Sequence, residues 1–204
     1  MALPDILWAC PVCQEDRSLR PDGRDHRCQA CGTLYRRGEG ATIEVRAPDG
    51  SRTVRHPSEW LALLPQPEDV VRTHVNRADL IRRSTAAVRW VVGWDSVHDR
   101  DRYLNRIEVW GDPAPGELAL RPDSLAWTPV EGEPTRWLLE EIGAVQASSS
   151  ALQVRGTGLP LAQFDFENDS VFLWERLLRA ALRDFYGRTG RGEIVEFQPR
   201  VVTR

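Results

Sequence analysis

Two Cys-x-x-Cys pairs separated by fourteen residues, Cys10-Pro-Val-Cys13 and Cys28-Gln-Ala-Cys31, constrain this chain more than any other feature. Each pair brings two sulfurs together at a tight turn, and two such turns can close a tetrahedral thiolate cage around one zinc ion. Gly32 follows the second pair, where a positive φ is often required, and residues 20 to 26 supply a connecting hairpin. A ribbon this small has a scanty apolar core, so metal binding, worth roughly 10–16 kcal/mol in zinc-finger peptides, supplies much of its folding energy. Four thiolates leave no position for a catalytic water, and the expected ion is structural. His26 is read as a bystander.

Four cysteines can also bind iron and transfer electrons, as in a rubredoxin-like site. The second knuckle of that family usually reads Cys-Pro-x-Cys, whereas here the proline follows the first cysteine, so zinc is preferred. The N-terminal Met-Ala-Leu-Pro-Asp shows no basic region followed by an apolar run. No stretch approaches the roughly 18 apolar residues of a membrane span. The expected location is the cytoplasm, where paired thiols bind metal more often than they oxidise.

All 27 basic side chains are arginine, which reads as the coding bias of a GC-rich bacterial genome and excludes Schiff-base and P-loop lysine chemistry. A net charge of −3 argues against a chain devoted to neutralising phosphates or coating an anionic membrane. Many zinc ribbons bind nucleic acid, and Arg17, Arg20, Arg24, Arg27, Arg36 and Arg37 raise that question. Residues 1 to 60, however, hold nine arginines against nine acidic residues, with few aromatic stacking groups, which disfavours nucleic acid.

Pattern divides the chain into four zones: a zinc ribbon at 1–57, a helical connector at 58–102, a strand-rich block with a C-terminal helix at 103–187, and a tail at 188–204. Ser58 reads as the N-cap of a short helix stopped by Pro65 and Pro67. From Glu68 onward, Val71, Val75, Ala78, Ile81, Thr85 and Val88 recur at helical spacing, with Arg72, Arg77, Arg82, Arg83 and Arg89 largely on other faces. Seven short strands follow, at 105–110, 117–121, 124–128, 136–140, 143–148, 151–155 and 162–167. The last helix runs from Asp169 to Tyr186, closed by Gly187, with Trp174, Leu177, Leu178, Ala181 and Phe185 on one stripe. Residues 193 to 197 read as a further strand or as part of a loose arm.

Seven antiparallel strands and one amphipathic helix make an α+β chain whose second half resembles a pleckstrin-homology fold of the GRAM-like kind. The resemblance rests on residues 116–127, 136–145, Phe164-Asp-Phe166 and Trp174. It implies a strongly bent partial barrel plugged by the helix, with Trp174, Leu177, Leu178 and Phe185 as the plug. It also implies binding of acidic lipid through basic residues in the first interstrand loops. Here that loop, residues 111 to 115, carries Asp112 and no arginine. If the first strand instead lies at 88–94, the loop becomes 95–102 and brings His98, Arg100 and Arg102.

No nucleophile elbow, phosphate loop or paired His and carboxylate is visible, so the chain reads as no enzyme. The leading expectation is a zinc-containing adaptor or scaffold that docks a protein partner, near a membrane in one version. Its partner-binding residues are unknown; exposed tryptophans among Trp60, Trp90, Trp94, Trp110, Trp127 and Trp137 are the first candidates. An alternative binds anionic lipid through Arg72, Arg82, Arg83, Arg89, Arg100 and Arg102. A second alternative is nucleic-acid recognition by the ribbon.

Overall fold

Alternating short runs between Leu19 and Arg55 fold as five antiparallel strands in sequential order: β1 (Leu19–Asp22), β2 (Asp25–Cys28), β3 (Leu34–Arg37), β4 (Ile43–Arg46) and β5 (Arg52–Arg55). The computed structural model describes residues 3–190 apart from Ala78, Asp101 and Ser149. Strands of four residues send at most two apolar side chains inward, chiefly Leu19, Cys28, Tyr35, Ile43 and Val45. Trp60 closes this small core from outside the sheet, its indole N–H donating to the Ile43 carbonyl at 3.1 Å.

Trp60 lies on α2 (Pro57–Leu61), which is capped by His56 rather than Ser58. Pro57 occupies the first helical position, where its missing N–H costs nothing, and the Glu59 carboxylate accepts the His56 backbone N–H at 2.9 Å. A second helix, α3 (Pro67–Arg77), starts where helical spacing predicts but ends well before Val88. From Arg82 the chain is an eighteen-residue strand, β6 (Arg82–Asp99). Its period is two: Ser84, Ala86 and Val88 are buried while Arg83 and Thr85 are exposed. Ile81, Thr85 and Val88 fit a helical stripe equally well on spacing alone. Strand pairing on both sides of β6 decides between the two. Ala78 of the proposed stripe lies outside the described residues, as do residues 193 to 197.

Seven strands follow β6: β7 (Arg102–Trp110), β8 (Ala114–Leu120), β9 (Ser124–Pro129), β10 (Thr135–Leu138), β11 (Ile142–Ala147), β12 (Ala151–Gly156) and β13 (Ala162–Phe166). Among the described residues the sheet therefore has eight strands, not seven, and the additional one is β6. Its order is β10-β9-β8-β6-β13-β12-β11, with β7 paired to the outer half of β6. Every pairing is antiparallel. Aromatic contacts report how far this sheet bends. Trp137 on β10 stacks on Trp90 of β6 at 5.7 Å and meets Phe164 of β13 edge-on at 6.0 Å, across the interior from its own neighbours. Gly156 on β12 admits the same ring, since a Cβ there would lie 2.3 Å from Trp137 Cδ1.

The final helix, α4 (Val171–Thr189), is capped by the Ser170 hydroxyl, which accepts the Leu173 N–H at 3.2 Å. It passes Gly187 without stopping and ends at Gly190, whose φ of 66° is the left-handed turn that closes a helix. Trp174, Leu177, Leu178, Ala181 and Leu182 form the buried stripe. Buried apolar residues run without interruption from Leu3 to Leu182, so the two sheets share one core.

A polar junction ties the sheets together around Asp169, whose side chain is 2% exposed. Its carboxylate accepts hydrogen bonds from Arg17 at 2.8 Å, Arg82 Nε at 2.7 Å, Trp174 Nε1 at 2.9 Å and the Ser84 hydroxyl. Arg82 also reaches Asp16 at 3.1 Å. Burial resists charge on Asp169, but the Arg82 guanidinium, Ser84 and Arg17 outweigh it and hold the carboxyl below its ordinary range. Nearby, the Ser170 hydroxyl donates to the Asp5 carbonyl and Arg176 lies over the Trp8 ring at 5.3 Å.

Candidate metal centre

Two similar knuckles carry the cysteines. After Cys13 the chain turns through Gln14 at φ 60°, and the Gln14 N–H donates to the Cys10 carbonyl at 2.7 Å. After Cys31 it turns through Gly32 at φ 76°, and the Gly32 N–H donates to the Cys28 carbonyl at 2.9 Å. Glycine suits the second turn as expected; glutamine in the same region at the first costs backbone energy that the closed knuckle must offset. The β1–β2 hairpin, turning at Gly23 with φ 63°, then lays one knuckle against the other.

The four sulfurs lie within 4.8 Å of one another. Cys10 Sγ and Cys31 Sγ are 3.6 Å apart, and Cys13 Sγ and Cys28 Sγ 3.7 Å. A disulfide needs about 2.05 Å, so none of these contacts is one. Four zinc–sulfur bonds of about 2.3 Å in a tetrahedron space the sulfurs by about 3.8 Å, and the cluster fits that size.

Side chains that spacing alone does not reveal surround the sulfurs. The Tyr35 hydroxyl, fully buried on β3, lies 2.8 Å from Cys10 Sγ, Thr33 Oγ1 lies 3.1 Å from Cys31 Sγ, and Ser18 Oγ lies 3.3 Å from Cys28 Sγ. Burial raises the Cys10 thiol, and desolvation together with the neighbouring sulfurs pushes the Cys13 thiol up to about 12. Burial also works against Cys28 ionising, yet hydrogen bonding with Ser18 and with the Cys31 and Ala30 backbone brings it down to about 6. Four thiolates this close cannot all carry charge unless a cation compensates them, and a bound divalent ion reverses that balance.

Hydrogen bonds to ligating sulfurs orient them and tune their charge, and losing one such partner typically lowers metal affinity about 10–100-fold. Tyr35→Phe keeps the buried ring and deletes only the hydroxyl beside Cys10. It is expected to weaken zinc binding by roughly tenfold in competition with a chromogenic chelator. Unchanged affinity would show that Tyr35 serves packing alone.

Ribbon arginines are largely engaged by carboxylates. Arg36 holds Asp25 with two bonds of 2.8 and 2.7 Å, Arg27 holds Asp22 at 2.8 Å, and Arg46 and Arg52 share Glu44 at 2.8 Å each. The two arginines lower Glu44 to about 2. His26 sits half-buried on β2, away from the four sulfurs.

Six arginines proposed for lipid do not converge. Arg72 lies on α3 beside Asp69 at 3.4 Å. Arg82 is a strand residue in the buried Asp169 junction, not part of a basic helix face. Arg83 and Arg89, also on β6, face Glu117 at 3.1 Å and Asp165 at 3.8 Å. Arg100 and Arg102 lie at the far turn of the β6–β7 hairpin, where the sequence Asp99-Arg-Asp-Arg102 sums to zero charge.

Of the six tryptophans weighed for partner binding, Trp60, Trp127 and Trp137 are buried, Trp90 and Trp110 half-buried, and Trp94 is 54% exposed. Trp94 stands on the hairpin formed by β6 and β7, which project together beyond the rest of the sheet from Val91↔Trp110 to Asp99↔Arg102. Val92, Tyr103, Leu104 and Ile107 are exposed on the same arm.

No protein-family model and no curated protein sequence matches the chain. Solved structures show weak similarity, two of them as follows. The crystal structure of the C-terminal domain of an unknown protein from Leishmania infantum is 14% identical with a TM-score of 0.34, over 56% of this chain and 97% of that one. The solution structure of the N-terminal PH domain of human ARAP2 protein is 13% identical with a TM-score of 0.34, over 57% and 90% respectively. Likeness at this level carries no argument about function.

Proposed function

We propose that the chain is a non-catalytic, zinc-containing adaptor that binds a protein partner through the projecting β6–β7 arm. Residues 1–57 form a ribbon held by one structural zinc on Cys10, Cys13, Cys28 and Cys31. Helices α2 and α3 join it to a pleckstrin-homology/GRAM-like partial barrel plugged by α4. Support for the barrel comes from the strand order: β8–β10 and β11–β13 form two meanders that meet on β6, and a C-terminal helix packs its apolar stripe against them.

The arm carries this reading. A two-stranded ribbon is marginal in water by itself, and this one exposes Trp94, Val92, Tyr103, Leu104 and Ile107. Exposed aromatic and branched side chains grouped on one projection are what a protein interface covers. A cavity of about 250 Å³ lies between the N-terminal segment and the β13–α4 junction, but its charged walls Arg17 and Asp169 are bonded to each other. Anionic lipid remains the second reading, with Arg100 and Arg102 at the hairpin turn as its contacts.

A structural zinc has no exchangeable position. Cobalt-substituted protein should show the intense thiolate-to-cobalt and tetrahedral d–d bands of a four-sulfur site, unchanged by added imidazole. Bands that shift on titration would mean an open coordination position and would overturn the non-catalytic reading. Trp94→Ala should abolish capture of the partner without altering metal content; capture that survives would remove the arm from the proposal.

A further inference from the structure

The outer edge of β7 has no pairing partner among the described residues, although β7 is nine residues long. Residues 102 to 107 are all exposed. An edge of this length normally carries a device that prevents pairing with another chain. Here one register shift interrupts the β6–β7 ladder near its tip, between Val97↔Asn105 and His98↔Tyr103, which leaves Leu104 as the extra residue. Below that bulge, one-to-one pairing is continuous from Asn105 to Val109, ending at a second shift near Val91.

The side chains along this regular stretch complement themselves. Arg106 stands opposite Ser96 and Glu108 opposite Trp94, so neither meets an opposite charge across the hairpin. Neither has a salt bridge among the described residues. Ile107 lies between them and is 50% exposed. Suppose β7 pairs antiparallel with β7 of a second copy, with Ile107 opposite its own mate. Arg106 of each chain then faces Glu108 of the other, giving two reciprocal ion pairs around an isoleucine contact. Asn105 faces Val109, which closes the regular stretch. Opposite charges and apolar pairs placed directly across strands are the contacts that stabilise a sheet, and the self-reciprocal pattern is that of a two-fold interface.

We infer that the β7 edge docks a second copy of this chain, extending the arm into a four-stranded ribbon β6-β7-β7-β6 about a two-fold axis at Ile107. The inference deepens the reading of the arm as a protein-binding surface by naming one occupant. Trp94 remains on a face of the widened ribbon rather than at the new seam, where it can still meet another protein.

Sedimentation equilibrium on the full, zinc-loaded chain tests it. Wild type is expected to self-associate to a dimer. Glu108→Arg, which sets arginine against arginine twice, and Ile107→Lys, which sets lysine against lysine, should each weaken the dimer at least about tenfold. The double swap Arg106→Glu with Glu108→Arg rebuilds both ion pairs in reverse and should restore association to within about threefold of wild type. Arg106 and Ile107 are exposed and Glu108 is half-buried, and far-UV circular dichroism verifies that each variant folds. A wild type that stays monomeric to about 100 µM overturns the inference. So does a dimer indifferent to Ile107→Lys and Glu108→Arg, or a swap that fails to restore it. A monomer that still captures another protein through Trp94 would sink this occupant alone and leave the adaptor reading standing.

Discussion

Cys28→Ser is expected to unfold the β1–β5 sheet while leaving much of the β6–β13 sheet protected. Cys28 is fully buried, and its loss removes one corner of the sulfur cluster together with its contact to Ser18. The first sheet has little core of its own: its strands have four residues each, and Leu19, Tyr35, Ile43 and Val45 with Trp60 make up most of it. Zinc binding is worth roughly 10–16 kcal/mol in zinc-finger peptides, as much as the whole stability of a typical domain. Hydrogen exchange read by mass spectrometry should show amides of β1–β3 losing protection by orders of magnitude, while β12, β13 and α4 keep most of theirs. Wild type treated with a strong chelator should give the same pattern. If β1–β3 stay protected after metal is removed, the site does not hold the ribbon. Because zinc requires deprotonated sulfurs, its affinity should also fall as pH drops.

The second large effect is expected at Asp169. Asp169→Ala leaves Arg82, whose side chain is 11% exposed, buried without its main counter-charge, and frees Arg17, Ser84 and Trp174 Nε1 from a shared acceptor. Removing one partner of a buried ion pair costs about 3–5 kcal/mol, largely because the remaining charge is uncompensated. Urea denaturation should show this loss with little change in slope. The double variant Asp169→Ala with Arg82→Met should recover part of it, since no orphaned guanidinium remains on β6. Acid titration provides an independent check. The carboxyl of Asp169 is held below its ordinary range when folded, so its contribution is full above the unfolded value of about 3.9 and is lost as pH falls through the lower folded value. Wild type should therefore lose its advantage over Asp169→Ala in that acid window. A constant difference between the two down to about pH 2 would mean that Asp169 acts through packing rather than charge.

How much of this was legible in the sequence depended on the range of the interaction that decides each feature. A cysteine knuckle closes within four residues, and its hairpin within twenty, so the sulfur cluster could be read from spacing. Turns rich in Gly, Pro and Asp marked the breaks between β7 and β13 for the same local reason. Tyr35 next to Cys10 could not be read, because only the pairing of β3 with β2 and β4 carries that hydroxyl to the sulfur. Nothing in the spacing of the tryptophans separates Trp94 from the rest. It is exposed because β6 outruns β13 and β8, and Trp137 is buried because the sheet bends over it.

Residues 82 to 99 show the division most plainly. Their apolar spacing suits a helix or a strand, and the choice was made by β8, about thirty residues later, and by β13, about eighty residues later. The same choice moved Arg82 from a basic surface into the Asp169 junction. By itself, the sequence determined where sulfurs meet and where the chain turns, since both are fixed by covalent reach over a few residues. Tertiary structure alone decided which strand joins the two halves, which arginine is buried and which tryptophan faces water, because each of those depends on hydrogen bonds and packing between segments far apart in the chain.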